Sequence, residues 1–229
     1  MIAAISALTI LGILGVVAYF IMPKAEAPPP QLAQTYFVNT LSQSDFESEV
    51  GMEWAPFGPL DVQAKQGLRP LLTDLTSDFQ GGGVFYDKTL AADAAFAIEA
   101  AIVLPRASDD VAVEVFVSDD PNFTGSSATS ARELAFLARN GSASVILPGG
   151  RVEGSPTKLP VSRTPINVRV TISGDEASVE MNAKKLWAGK HNLDATKHRL
   201  AGVRFLAREG KDNAAPVVQS VRILAPQKQ

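Results

Sequence analysis

The sequence predicts an all-β antiparallel sandwich preceded by one N-terminal transmembrane helix. Three observations carry that expectation. Apolar residues alternate with period two in several separate runs after Gly81. Turn dipeptides such as Asn140-Gly141 and Gly174-Asp175 punctuate those runs. Residues 1–23 hold no charged side chain.

The N-terminal element comes first. Residues 2–22 (IAAISALTILGILGVVAYFIM) are apolar except for Ser6 and Thr9. At about 1.5 Å rise each they span roughly 31 Å, the thickness of a bilayer's hydrocarbon core. Tyr19 and Phe20 stand at the downstream end, where aromatic rings favour the interface, and Pro23-Lys24 stops the helix. A cleaved signal peptide is the competing reading, because Ala25-Glu26-Ala27 matches an A-x-A cleavage pattern. Against it stand an n-region without lysine or arginine and an apolar run longer than the usual 7–15 residues. The expectation is therefore an uncleaved anchor over residues 1–22. Within it Gly12 and Gly15 lie three apart, a spacing that suits close helix packing. Residues 23–35 form a proline-rich linker, whose Pro28-Pro29-Pro30 favours an extended conformation of about 3.1 Å per residue. The sandwich is assigned to residues 36–229.

Its first part is the least legible: Phe37, Phe46, Trp54 and Phe57 are candidate core anchors, but no period is sustained up to Pro70. Phe96, Ile98, Ala100, Ile102 and Leu104 then alternate along one strand, and Val111, Val113, Val115 and Val117 along the next. Glu114 and Ser118 take the opposite face of that strand, which the alternation assigns to solvent. Asn140-Gly141 predicts a hairpin joining Leu134–Arg139 to Ser142–Leu147. Ile166, Val168, Val170 and Ile172 turn at Gly174-Asp175 into Ala177, Val179 and Met181, a second hairpin. Residues 200–207 and 217–224 complete the strands. Many short antiparallel strands separated by turns point to a sandwich.

The end of the chain carries a family resemblance. INVRVTISGDEASVEMNAKKLWAG (166–189), HRLAGVRFLAR (198–208) and APVVQSVRILA (215–225) resemble the last strands of concanavalin A-like jelly-roll domains, with Asn182-Ala183-Lys184 as the small polar tip. The pattern spans roughly Gly81 to Pro226. It implies a jelly-roll sandwich and admits lectins, glucanases and laminin-G-like modules, without selecting an activity.

Composition narrows the chemistry. Lys plus Arg number 21 against 24 acids, so no basic surface for nucleic acid is expected. There are no cysteines and two histidines, which removes thiolate and multi-histidine metal chemistry. Glucanases of the resembled fold carry Glu-x-Asp-x-x-Glu on one strand. Here Glu99, Glu114 and Glu180 stand alone on their strands and read as members of solvated faces. His191 and His198 read as exposed loop residues, and no G-x-S-x-G elbow exists. Asp120, Asn122 and Thr124 match the opening of a D-x-N-x-T-G loop and form a candidate Ca2+ site, with Asp119 adjacent. The twelfth position of that loop is Ala131 rather than glutamate, and an Asp-Pro-Asn turn explains the same residues. Trp187 is the aromatic that suits a binding surface, with a place at the core's rim as the alternative.

The function expected from the sequence is non-enzymatic. The sandwich would be a scaffold or accessory subunit of a larger bacterial membrane complex, respiratory or photosynthetic in kind. Its partners would be integral membrane subunits, reached through the helix in the bilayer at Gly12 and Gly15 and through the domain at Trp187. The setting expected is the inner membrane, with the C-terminal domain in the periplasm. The alternative is an envelope glycan-binding module, and the third reading is a hydrolase with an unrecognised site.

Overall fold

The computed structural model describes residues 37–46, 49–63, 66–73, 75–76, 78–105, 107–120, 123, 132–160, 162–209 and 215–227. The expected anchor and linker, with Gly12 and Gly15, lie outside them, as do Asn122 and Thr124. Among the described residues no helix is long and apolar enough to cross a membrane.

Every regular element among the described residues is a strand, and the strands form two antiparallel sheets. In chain order these are β1 (Phe37–Ser44), β2 (Trp54–Phe57), β3 (Leu60–Gln63), β4 (Gly67–Pro70), β5 (Gln80–Tyr86), β6 (Phe96–Leu104), β7 (Val111–Ser118) and β8 (Glu133–Arg139). Then follow β9 (Ser142–Leu147), β10 (Arg151–Lys158), β11 (Ser162–Ser173), β12 (Glu176–Met181), β13 (Lys184–Lys190), β14 (Leu200–Ala207) and β15 (Val217–Pro226). The first sheet runs β13-β12-β11-β6-β15-β4-β3, with β1 also on β15. The second runs β10-β9-β8-β7-β14-β5-β2.

The alternating residues of both sheets meet in one core. Ile98, Ile102, Val168, Val170, Val179, Val221 and Ile223 from the first sheet pack on Val84, Val113, Val115, Phe136, Val203 and Phe205 from the second. Both hairpins read from the sequence are present: β8 pairs β9 across Asn140-Gly141, and β11 pairs β12 across Gly174-Asp175. Asn140, Gly141 and Gly174 have positive φ, the conformation those residue types tolerate.

One expectation fails here. The outer face of β7 is not wet: all eight of its residues are buried. Phe116, Ala135 and Ile146 form a second cluster on that side, covered by Phe85, Phe123 and Leu137. Phe123 comes from the chain between β7 and β8, so apolar cover closes a surface that alternation alone assigns to solvent.

Candidate functional site

The covered face holds a buried charge cluster. Glu114 (β7), Glu133 (β8) and Arg204 (β14) converge because β7 lies between β8 and β14, with Arg204 opposite Glu114 in register. Arg204 donates through Nε to Glu114 Oε2 at 2.8 Å, and a terminal guanidinium nitrogen also reaches that oxygen. The same terminal nitrogen donates to Glu133 Oε2 at 2.7 Å. Both glutamates are fully buried and Arg204 is 1% exposed. Above the guanidinium, Phe116 and Phe123 stack with centroids 4.9 Å apart. Its carbon lies 5.4 Å from the Phe116 centroid and 5.8 Å from that of Phe123.

Glu114 is thus not a solvated residue, and a neighbouring strand supplies the second carboxylate that no single strand carries. Burial pushes the Glu114 carboxyl above its ordinary range, against the opposing charge of Arg204. Burial also disfavours charge on Arg204, but Glu114 and Glu133 outweigh it and hold the guanidinium protonated. Glu114 Oε1 is buried with no hydrogen-bond partner. This carboxylate pair, closed off by phenylalanines, has no exposed oxygen to offer a substrate.

Local sequence makes the close approach work. Gly81-Gly82-Gly83 lies on β5 beside β14, with Gly83 opposite Arg204. A Cβ on Gly83 would stand 2.8 Å from Arg204 Cα and 2.9 Å from the Phe57 ring. The glycine triplet lets two backbones and an aromatic side chain crowd the arginine's strand.

The first sheet presents the opposite situation on its outer face: an open groove of about 710 Å³. Its floor is a row of cross-strand partners. Glu180 (β12) faces Arg169 (β11), which faces Glu99 (β6), which faces Arg222 (β15), which faces Gln43 (β1). Arg169 holds Glu99 Oε1 through Nε and one terminal nitrogen. Arg222 holds Oε2 the same way, at 2.6 Å and 2.5 Å. Glu99 is the most enclosed of the three, with its side chain 18% exposed against 34% for Arg169 and 45% for Arg222. Asn167, Asn182, Ala183 and Ser220 complete the lining. Asn182 Oδ1 accepts from Asn167 N–H at 2.8 Å, fixing the β12–β13 turn beside the groove. Glu99 is therefore paired on both sides rather than simply solvated.

The other sequence candidates distribute as follows. Asp119 spends both oxygens inside the protein, accepting from Arg132 Nε at 2.6 Å and Asp194 N–H at 2.5 Å. The amide of Asp120 is bonded to Ser118 Oγ at 3.1 Å, and its carbonyl accepts from Phe123 N–H at 3.3 Å. Among the described residues no group of three or more histidines and acids could hold a metal. Trp187 is half-buried against the main core, at its rim. His198 is exposed, but His191 is buried, which corrects its reading as an exposed loop residue. Its Nδ1 accepts from Leu193 N–H at 3.0 Å and its Nε2 lies 2.9 Å from the Gly174 carbonyl, a pairing that requires the neutral ring protonated on Nε2.

Two antiparallel sheets in this order, closed over one core, define a jelly-roll sandwich of the concanavalin A-like, galectin-like kind. Solved structures agree with that class. The carbohydrate recognition domain of Emp46p in its potassium-bound form superposes with a TM-score of 0.56 at 13% identity, covering 79% of this chain and 94% of that one. A protein of unknown function with a galectin-like fold from Bacillus subtilis gives 0.60 at 11% identity, over 85% and 99%. The endo-β-1,3-glucanase from Pyrococcus furiosus gives 0.59 at 11% identity, over 83% and 95%. No protein-family model matches the chain, and no curated protein matches it in sequence. At these identities the likeness is one of fold, shared by lectins and hydrolases alike.

Proposed function

We propose that this chain is a non-catalytic glycan-binding module, tethered to the bacterial inner membrane by residues 1–22, whose recognition surface is the groove on the first sheet. The observation that carries the reading is the groove itself: an open polar trough of about 710 Å³ lined by arginine, glutamate, asparagine and glutamine side chains. Sugars are bound by such mixed donors and acceptors, and the solved neighbours include a carbohydrate recognition domain. The glucanase neighbour raises hydrolysis as a rival. Against it, the two carboxylates that converge on the second sheet are sealed by Arg204 and phenylalanines.

A second reading, an accessory subunit bound to integral membrane proteins, draws on β1. Val38 and Leu41 are 58% and 47% exposed. Both are the extra residues at register breaks with β15, so two bulges turn apolar side chains outward on the first described strand.

The test is affinity electrophoresis of detergent-extracted full-length protein through gels containing neutral or acidic polysaccharides, with reducing-end release measured in parallel. Retardation by at least one polysaccharide without new reducing ends is expected. Release that Glu114→Gln abolishes would replace this reading with a hydrolase. No retardation, together with a co-purifying membrane subunit, would favour the second reading.

A further inference from the structure

The groove's charges also select among glycans, an inference that rests on the glycan reading. We infer that the Arg169–Glu99–Arg222 ladder binds a carboxylate-bearing saccharide, of the uronic acid class, rather than a neutral one.

The argument begins with how the ladder is used. Glu99 has both oxygens occupied, one by each arginine. It is also the least exposed of the three side chains. Its charge is spent inside the ladder, where it pins two guanidinium groups side by side on neighbouring strands. Each arginine commits Nε and one terminal nitrogen to that task. The other terminal nitrogen of each has no partner among the described residues. Two arginines and one carboxylate leave a net charge of +1, with the cationic groups facing the groove and the anionic one beneath them. Glu180, the remaining acid of the lining, brings the four lining charges to zero, and Lys185, opposite it in the β12–β13 register but outside the lining, restores the surplus of one positive charge.

A planar carboxylate is the natural complement to two pinned guanidinium arms. Asn167, Asn182 and Ser220 then stand beside it as hydroxyl partners. Among the described residues no aromatic side chain lines the groove, so a neutral sugar would lack a face to stack on there. The affinity must come mainly from charge-assisted hydrogen bonds, and it must fall with salt.

Isothermal titration of the full-length protein in detergent would use a galacturonate oligomer and a neutral galactose oligomer of equal length. Tighter binding of the galacturonate oligomer is expected, weakened as sodium chloride is raised. Arg169→Gln and Arg222→Gln should each weaken it about tenfold. Thermal melting identifies a variant that fails to fold, and the salt series on the unaltered protein needs no variant. Equal affinity for both oligomers, or galacturonate binding insensitive to salt, would overturn this inference while leaving the glycan reading in place. If the galacturonate oligomer, the galactose oligomer and every polysaccharide in the gels fail to bind, the glycan reading itself falls.

Discussion

Arg204 is held in place by carboxylates from two neighbouring strands, and they by it. An arginine that is 1% exposed is tolerable only while its charge is matched, and the same holds for Glu114 and Glu133. Arg204→Leu would leave two carboxyl groups buried without a cation, at a cost of about 3–5 kcal/mol. Replacing all three residues by leucine removes the charges together and should recover most of that loss, because an apolar triad has nothing left to neutralise. Urea denaturation of the two variants checks the contrast. The cluster also has a pH signature. Burial raises the Glu114 carboxyl in the folded protein above its ordinary value of 4.5. The folded state therefore binds the proton more tightly than the unfolded chain does. That contribution to stability is complete below the ordinary value and is lost as pH rises through the raised one. The stability of the unaltered protein relative to Glu114→Gln should thus decline from acid toward neutral pH, by at most about 1.4 kcal/mol per pH unit. A flat or rising difference would mean that Arg204, not burial, governs this carboxyl.

At the scale of strands, what was legible in the sequence follows from which forces are local. The β8–β9 and β11–β12 hairpins are written in Asn140-Gly141 and Gly174-Asp175, because a turn's backbone preference belongs to its own residues. β1 escaped detection because its bulges at Val38 and Leu41 break the period on which a strand is recognised. β10 escaped because it is an edge strand exposed along most of its length, with Gly154 and Pro156 inside it and no apolar face. Alternation gave the correct face for Glu114 but not its environment, since the cover comes from Phe123 and from strands distant in sequence. The groove was invisible for the same reason: Glu99, Arg169 and Arg222 lie up to 123 residues apart. The meaning of Gly81-Gly82-Gly83 is close packing of β5 on β14, which only the pairing of two strands distant in sequence reveals. Gly83→Ala places a methyl against the backbone of β14 and the ring of Phe57, and should cost about 1–3 kcal/mol. Gly51→Ala is the control, since its nearest neighbours would lie 3.5 Å away, and a change within about 0.5 kcal/mol is expected. Chemical denaturation that ranks the two equally would remove the packing explanation.

Across the whole domain, closure depends on its last strand. β15 lies between β6 on one side and β1 and β4 on the other, so it joins the central strands of the first sheet to its N-terminal ones. Val218, Val221 and Ile223 enter the common core from it, and Leu224 packs with Phe37 and Ala97 on the outer face. β1 has no other strand partner among the described residues. Pairing residues near opposite ends of the chain carries a large loop-closure cost, offset only once the core forms around it. Truncation after Ala215 would therefore do more than shorten a sheet. It would strip β6 of a neighbour, leave β1 unpaired, and expose apolar positions on both faces of the first sheet. β10 offers the comparison, because among the described residues it pairs only with β9, and most of its side chains already face solvent. Replacing residues 151–158 by a short glycine–serine link should leave a soluble protein with one thermal transition at a lowered midpoint. The β15 truncation should yield insoluble protein, or a soluble form without a cooperative transition. A β15-truncated chain that melts as sharply as the full-length one would show that the second sheet and the remaining strands form a core without this closure.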